Sequence, residues 1–196
     1  MGWEISLGNN FPANITFGGK LTYAPRIFSS VSFTILILCI MNKKLIIFVC
    51  TSNTCRSPVA EGIATQYVKK HHLEDQFHII SRGMSEDYEP AGSPASKYSQ
   101  ECALEMFGVD LSSHRSVVIN GKEVEEAFAI IGMTAAHNRK VCLMFPEASK
   151  GKIIPLDRDI LDPWHQKKEV YAQCCREIND VVPKVLNNLL HKLRTA

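Results

Sequence analysis

Residues 45–50 read LIIFVC, an uncharged apolar run rich in β-branched residues, and they lead directly into a polar loop. Such a run is typical of a strand buried inside a parallel sheet. Ser57 and Pro58 then indicate a helix start, because Pro is tolerated in the first turn of a helix. A short loop in this place turns its backbone N–H groups towards one centre, in front of the positive end of the helix dipole. The segment predicts a strand, an anion-binding loop and a helix in immediate succession.

Cys50 ends the predicted strand, and Arg56 stands six positions later. Of the seven cysteines, Cys50 alone has an Arg at that spacing. A helix N-terminus and a guanidinium both favour the ionised form of a neighbouring thiol. The planar fork of an Arg holds two oxygens of a phosphoryl group at once, and the Ser57 hydroxyl can donate to the sulfur. These residues predict a nucleophilic thiol at the base of a phosphate-binding loop.

Phosphoryl transfer to a thiol also needs an acid that protonates the departing oxygen. Asp162 is the candidate, since Pro163 restricts the backbone beside it and Trp164 can line the side of a pocket. Asp157 and Asp159 are rivals by proximity, but neither precedes a proline. An Asp-Pro pair alone is a common turn signal. The prediction therefore depends on the candidate nucleophile found elsewhere in the chain.

Beyond the loop, short apolar runs alternate with helical patterns, which indicates a parallel sheet covered by helices. We expect an α/β fold, a three-layer sandwich with a four-stranded parallel sheet and helices on both faces. The strands are predicted at 45–50, 77–81, 127–133 and 151–156. The helices are predicted at 57–71, 93–108, 134–145 and 168–193, with a kink or interruption of the last one at Pro183. Cys50 and Asp162 then lie near the carboxyl ends of strands, where sites of such sheets are found.

The chain has 196 residues, 45% hydrophobic and 21% charged, which suits one well-filled domain predicted at residues 41–196. A net charge of +2 with scattered basic residues argues against nucleic-acid binding. Seven cysteines without a disulfide-framework spacing predict reduced thiols and a cytoplasmic protein. No C-x2-C pair exists, so a structural zinc site has little support.

Residues 1–40 differ from the rest in being poor in charge and rich in loop-forming segments. The apolar run at 31–40 is too short to span a bilayer and lacks a small-residue cleavage site. We expect an N-terminal extension that is disordered or outside the fold, and no membrane partner.

The loop sequence CTSNTCRSP, followed much later by an Asp-Pro pair, resembles the low molecular weight protein tyrosine phosphatase family over about residues 43–193. The resemblance implies that Cys50 is the nucleophile, Arg56 the phosphate-binding arginine, and Asp162 the general acid that later acts as base. It implies a monomeric phosphatase of phosphorylated proteins, specific for phosphotyrosine, that needs neither a cofactor nor a metal.

The resemblance also assigns the surrounding residues. A hydrogen-bond network that braces the loop is implied for Asn53, Ser57, Ser81 and His114. The implied substrate-binding residues are Thr51, Ser52, Asn53, Thr54, Cys55, Ser57, Tyr88 and Trp164, with the last two as opposite aromatic walls. Cys55 matches a second loop cysteine that in the family can form a reversible disulfide with the nucleophile.

Two loop residues depart from the family pattern. Ser52 stands where the family usually has Gly, so a left-handed backbone or a close approach there would cost about 1 kcal/mol and reduce activity. Thr54 stands where tyrosine phosphatases commonly carry Ile and protein arginine phosphatases carry Thr. Arginine phosphatase activity is therefore the alternative to phosphotyrosine hydrolysis.

Two further alternatives remain open. A thioredoxin-coupled arsenate reductase shares the C-x5-R loop but needs a pair of relay thiols after the third strand, where this chain has only Cys142. A phosphate-binding module without turnover is suggested by Ser52 alone. Hydrolysis of an aryl phosphate would separate an enzyme from such a module.

Overall fold

The computed structural model describes residues 43–195 and contains one parallel sheet with the strand order β2-β1-β3. Its strands are β1 Lys44–Cys50, β2 Phe77–Gly83 and β3 Ala127–Gly132. Its helices are α1 Arg56–Lys70, α2 Lys97–Phe107, α3 Gly121–Glu126, α4 Ala135–Met144 and α5 Lys168–Thr195. The predicted extension at residues 1–40 lies outside the described residues.

The central strand β1 is buried from Ile46 to Cys50 because both of its faces are covered. Ile46 and Phe48 belong to one apolar cluster, which includes buried residues of α1, α2 and α5. Ile47 and Val49 belong to a second cluster, which includes buried residues of α3 and α4. This is the alternation that a period of two imposes on a strand. It explains why β1 reads as an unbroken apolar run.

Residues 151–156, predicted as a fourth strand, form only one isolated parallel bridge, between Ile153 and Ile130. Two backbone hydrogen bonds support it: the Ile130 N–H donates to the Lys152 carbonyl at 2.8 Å, and the Ile154 N–H donates to the Ile130 carbonyl at 2.9 Å. Gly132 is the next residue of β3 whose N–H would face this segment, but it donates instead to the Asn138 Oδ1 at 2.8 Å. The described sheet therefore has three strands.

The helix boundaries follow local sequence signals. Gly108 ends α2 in the left-handed conformation, with φ of 66°, as glycine readily does. Thr134 caps α4 by accepting a hydrogen bond from the His137 N–H. Helix α5 runs for 28 residues through Pro183 without interruption, so the alternative of a restarted helix is wrong. Helix α3 has only six residues and was not predicted; Asn120 caps it.

Among residues 43–195, no helix combines the length and the apolar character that a membrane crossing requires.

Candidate active site

Cys50 is the last residue of β1 and is buried, with its Sγ 3.1 Å from the Ser57 Oγ. The loop 51–55 connects it to α1, which starts at Arg56. No side chain caps the start of α1, and its first turn contains no acidic residue. The first N–H groups of this helix therefore remain free to bind an anion in front of the thiol.

Asn53 is a buried residue of the loop whose hydrogen bonds fix the loop conformation. It is fully buried and adopts a left-handed backbone, with φ of 57°, which Asn tolerates better than most residues. Its Nδ2 donates to the Ser57 Oγ at 2.9 Å and to the Ser81 Oγ at 2.8 Å. The His114 Nε2 lies 2.7 Å from the Asn53 carbonyl oxygen. The four residues assigned to a network by resemblance are thus in contact.

The hydrogen bonds of Ser57 are directed by this network. Its hydroxyl accepts from Asn53, so its own hydrogen is available either for the Cys50 Sγ at 3.1 Å or for the Arg82 carbonyl at 3.3 Å. A charged acceptor forms the stronger hydrogen bond. An ionised Cys50 is therefore the preferred partner of the Ser57 hydroxyl.

Ser52 does not carry the strain that its departure from glycine suggested. The left-handed residue of the loop is Asn53, and Ser52 is not among the described residues with positive φ. The close approach occurs at Gly83 on β2, where a Cβ would lie 3.1 Å from the Ser52 carbonyl carbon and 3.2 Å from the Thr51 oxygen. The glycine that this packing needs is therefore on the neighbouring strand, and the left-handed backbone that would make Ser52 costly is not present.

Arg56 is almost fully buried and connects three segments. Its Nη1 donates to the Ile160 carbonyl at 3.2 Å, and its Nη2 donates to the Thr51 Oγ1 at 3.3 Å. The same Nη2 forms an ion pair with the Asp162 Oδ2 at 2.6 Å. The Nε is buried and has no partner among the described residues. A buried donor of this kind calls for an acceptor, and a phosphoryl oxygen would supply it.

Asp162 lies opposite the loop, with 45% of its side chain exposed. Its second oxygen accepts from the Trp164 N–H at 3.2 Å. The rival aspartates have other partners: the Asp159 Oδ1 accepts from the Ala135 N–H at 2.7 Å, and the Asp157 Oδ2 lies 3.9 Å from the Lys184 Nζ. Of the three, only Asp162 lines the pocket above Cys50.

This pocket has a volume of about 320 Å³. It is lined by Cys50, Thr51, Ser52, Thr54, Cys55, Arg56, Tyr88, Asp162 and Trp164. Tyr88 and Trp164 do not face each other across the pocket as expected; their rings meet edge to face, with centroids 5.3 Å apart. Asn53 and Ser57, assigned to substrate binding by resemblance, are fully buried and do not line the pocket.

The second loop cysteine, Cys55, is buried on the side of α2 and α5. Its Sγ lies 2.9 Å from the Ser96 Oγ and 3.7 Å from the Tyr171 OH. Burial raises the pKa of the Cys55 thiol, and the hydrogen bond with Ser96 opposes this shift only in part. The raised pKa disfavours the thiolate form of Cys55 and so lowers the reactivity of this thiol.

His137 belongs to the surroundings of the site but was missed in the sequence. It lies in the first turn of α4, with its Nε2 3.1 Å from the Thr51 Oγ1 and its Nδ1 2.8 Å from the Thr134 Oγ1. Burial first, and the Arg56 charge second, lower the pKa of His137 to about 4. Because 86 residues separate it from Thr51, only the folded chain reveals the contact.

Comparison with known proteins gives a consistent result. The family model described as "Low molecular weight phosphotyrosine protein phosphatase" matches residues 45–195. A protein-arginine-phosphatase from Geobacillus stearothermophilus is 31% identical over 157 residues, which cover 76% of this chain and 96% of the relative. A low molecular weight phosphotyrosine protein phosphatase from Saccharomyces cerevisiae is 30% identical over 133 residues, 63% of this chain and 81% of the relative. The crystal structure of a low molecular weight protein tyrosine phosphatase from T. tengcongensis superposes with a TM-score of 0.67 at 30% identity, covering 74% of this chain and 99% of that one.

Proposed function

The chain belongs to the low molecular weight phosphotyrosine protein phosphatase family, and from this premise we propose that it hydrolyses phosphotyrosine in protein substrates through a cysteinyl-phosphate on Cys50. As a member of this family it is a cysteine-based phosphatase and a hydrolase. The observation that carries the proposal is the pocket itself, which brings Cys50, Arg56 and Asp162 together. A nucleophile, a cation and an acid around one cavity are the three groups that phosphoryl transfer requires.

In the first step, the Cys50 thiolate attacks phosphorus and forms an S–P bond while the P–O bond to the leaving group breaks. Arg56 and the N–H groups at the start of α1 hold the non-bridging oxygens, where negative charge must be stabilised. Asp162 gives its proton to the departing oxygen. The leaving alcohol then exits with that proton, and Asp162 remains ionised.

In the second step, Asp162 accepts a proton from water as the water oxygen attacks phosphorus. The S–P bond breaks, the electrons return to sulfur, and inorganic phosphate leaves. The Ser57 hydroxyl stabilises the thiolate that is regenerated, since it lies 3.1 Å from the sulfur. The residues of the pocket supply the positive charge, so the proposal includes no cofactor or metal.

Two aromatic residues support phosphotyrosine as the substrate. Tyr88 and Trp164 line the pocket with their rings in contact, and an aromatic leaving group can pack against such residues. Tyr88 is 58% exposed, so a substrate ring would cover apolar surface that now meets water.

Arginine phosphatase activity is the second candidate, and Thr54 is the observation that favours it. Thr54 lines the pocket with a short hydroxyl-bearing side chain, and a relative that matches 76% of this chain is named a protein-arginine-phosphatase. Matched phosphotyrosine and phosphoarginine peptides, compared by kcat/KM, decide between the two. We expect the phosphotyrosine peptide to be preferred; a preference for phosphoarginine would overturn the substrate assignment but not the thiol mechanism.

The remaining predictions concern the loop thiols, the cellular location, the oligomeric state and the number of strands. We propose that mild peroxide joins Cys50 and Cys55, which peptide mass mapping tests; a bridge to another cysteine would contradict it. We also propose a cytoplasmic location, supported by six cysteines that are free in the described part of the chain, and a monomeric state, which rests on the family resemblance alone. Finally, we propose that residues 151–156 complete a four-stranded, three-layer fold.

A further inference from the structure

In the described part of the chain, the hydrogen bond between His137 and Thr51 is the one side-chain hydrogen bond that joins α4 to the phosphate-binding loop. Its ring is buried between Thr51 of the loop and Thr134 of the preceding turn. Thr51 in turn accepts a hydrogen bond from the Nη2 of Arg56. A chain of side chains therefore runs from α4 to the guanidinium, and none of the steps proposed for the reaction uses His137.

A guanidinium has no acceptor, so the Arg56 Nη2 must donate to the Thr51 hydroxyl. With that hydrogen bond in place the Thr51 hydroxyl can still donate, and an unprotonated His137 Nε2 at 3.1 Å can accept its hydrogen. The hydrogen of the ring is then on Nδ1, where it can donate to the Thr134 Oγ1 at 2.8 Å. In this tautomer of neutral His137, Thr51 accepts from Arg56 and donates to His137.

Burial of the ring favours the neutral form of His137 most strongly, and the Arg56 charge acts second in the same direction. Asp162 and Asp159 favour a positive charge on the ring, and Lys140 opposes it. An imidazolium would replace the acceptor at Nε2 with a donor. Thr51 would then receive hydrogen bonds from two cations and could no longer bridge them as donor and acceptor.

We propose that His137 is a positioning residue for phosphate binding: its neutral Nε2 fixes the Thr51 hydroxyl, which in turn fixes the Nη2 edge of Arg56. The inference rests on the proposed function, because it assumes that Arg56 holds the phosphoryl group. Arg56 has a long side chain with several rotatable bonds, and holding it in one geometry before the ligand arrives favours binding.

The neighbouring residue provides a matched control. The Asn138 Oδ1 accepts from the Gly132 N–H at 2.8 Å, so Asn138 anchors the same helical turn to β3. It has no hydrogen bond with the loop. Asn138→Ala should lower Tm without affecting phosphate binding, as expected of a residue that acts on the fold alone.

The experiment measures the inhibition constant of inorganic phosphate, together with kcat and KM for an aryl phosphate and with Tm. The variants are His137→Leu, Thr51→Val, the double variant, His137→Gln and Asn138→Ala. His137→Leu and Thr51→Val should each weaken phosphate inhibition roughly tenfold, the factor that one hydrogen bond supplies. The double variant should be no worse than either single variant, because both break one chain. His137→Gln should restore most of the affinity, since its amide oxygen can accept from Thr51.

Phosphate inhibition within twofold of the parent in both His137→Leu and Thr51→Val would overturn the inference, whatever their Tm. Should His137→Leu fail to fold, an unchanged inhibition constant in Thr51→Val overturns it alone. Additive losses in the double variant would also contradict a single chain. A parent protein that hydrolyses no aryl phosphate would instead contradict the proposed function, so the two failures are distinguishable.

Discussion

The two sides of the pocket are built differently. On one side, the loop 51–55 is buried from Asn53 onwards, and it is fixed by the hydrogen bonds that join Asn53 to Ser57, Ser81 and His114. On the other side, the acid segment, residues 157–165, has no regular secondary structure, and Leu161 is 75% exposed. Ile160 anchors it: its N–H donates to the Met133 carbonyl at 2.8 Å, and its carbonyl accepts from Arg56.

The two sides of the pocket therefore contribute differently to phosphate binding and to catalysis. The loop side holds its donors in place before a phosphoryl group arrives, which is what electrostatic stabilisation requires. The acid side depends on the loop side, since Arg56 binds both Ile160 and Asp162. A phosphoryl group on Arg56 would compete with the Asp162 carboxylate for Nη2. We therefore expect substitutions in the loop to affect binding and chemistry together, and substitutions in the acid segment to affect chemistry according to the leaving group.

The largest expected effect is that of Cys50→Ser, which should abolish turnover while phosphate or vanadate still binds. The hydroxyl is a far weaker nucleophile than a thiolate, whereas Arg56 and the loop N–H groups are unchanged. Turnover of an aryl phosphate and a binding titration measure the two properties. Cys142→Ser is the control, because Cys142 is exposed on α4 and outside the pocket. Substantial hydrolysis by Cys50→Ser would point to another nucleophile.

Asp162→Ala should have the next largest effect, and a selective one. We expect a loss of ~10²-fold or more in kcat/KM, which reports the first step alone, on substrates with poor leaving groups and a much smaller loss in kcat/KM on activated aryl phosphates, which need little protonation. A series of aryl phosphates of different leaving-group pKa measures it. Asp157→Ala, on the same segment but outside the pocket, should leave both unchanged. An equal loss on all substrates would remove Asp162 from the role of acid.

Thr54→Ile tests whether the loop side also selects the substrate. An apolar group in place of the hydroxyl should shift the ratio of kcat/KM values towards phosphotyrosine by roughly 10-fold to 200-fold, the range that one apolar group in a pocket supplies. The ratio is measured on matched phosphotyrosine and phosphoarginine peptides. If it does not change, Thr54 does not set specificity, and the aromatic residues near the acid segment become the candidates.

The smallest expected effect is on stability in acid. The pKa of His137 is 6.5 in a model peptide and about 4 in the fold, so the unfolded chain binds more protons between these values. The contribution of neutral His137 to stability is fully present above pH 6.5 and is lost as the pH falls towards 4. Urea unfolding at several pH values measures the slope of the unfolding free energy against pH. His137→Gln should flatten it, and an equally steep slope in that variant would assign acid sensitivity to other groups.

The loop side was the more predictable from sequence because its chemistry is local. The nucleophile, the arginine and the helix start lie within eight residues of each other, and a strand, a loop and a helix in this order have few ways to fold. The contacts that brace the loop are not local. Ser81 lies 28 residues and His114 lies 61 residues from Asn53, so only resemblance suggested them.

The features that the sequence did not predict have physical reasons. The left-handed residue of the loop is Asn53 and the close approach occurs at Gly83, neither of which the loop sequence reveals. Helix α3 is too short to show a periodic pattern. The Gly132 N–H that would extend the ladder towards residues 151–156 donates to the distant side chain of Asn138 instead. No sequence pattern identifies His137, because its contact is with Thr51, which follows a different strand and lies 86 residues away.

The central claim is that Cys50 receives the phosphoryl group while the loop holds it. Rapid denaturation of Asp162→Ala during turnover of an activated aryl phosphate, followed by peptide mass mapping, tests it most directly, because this variant lacks the base for the second step. The account predicts a peptide containing Cys50 that is heavier by one phosphoryl group, and no such species in a Cys50→Ser control. A phosphoryl group on another residue, or continued turnover with no covalent species, would contradict it.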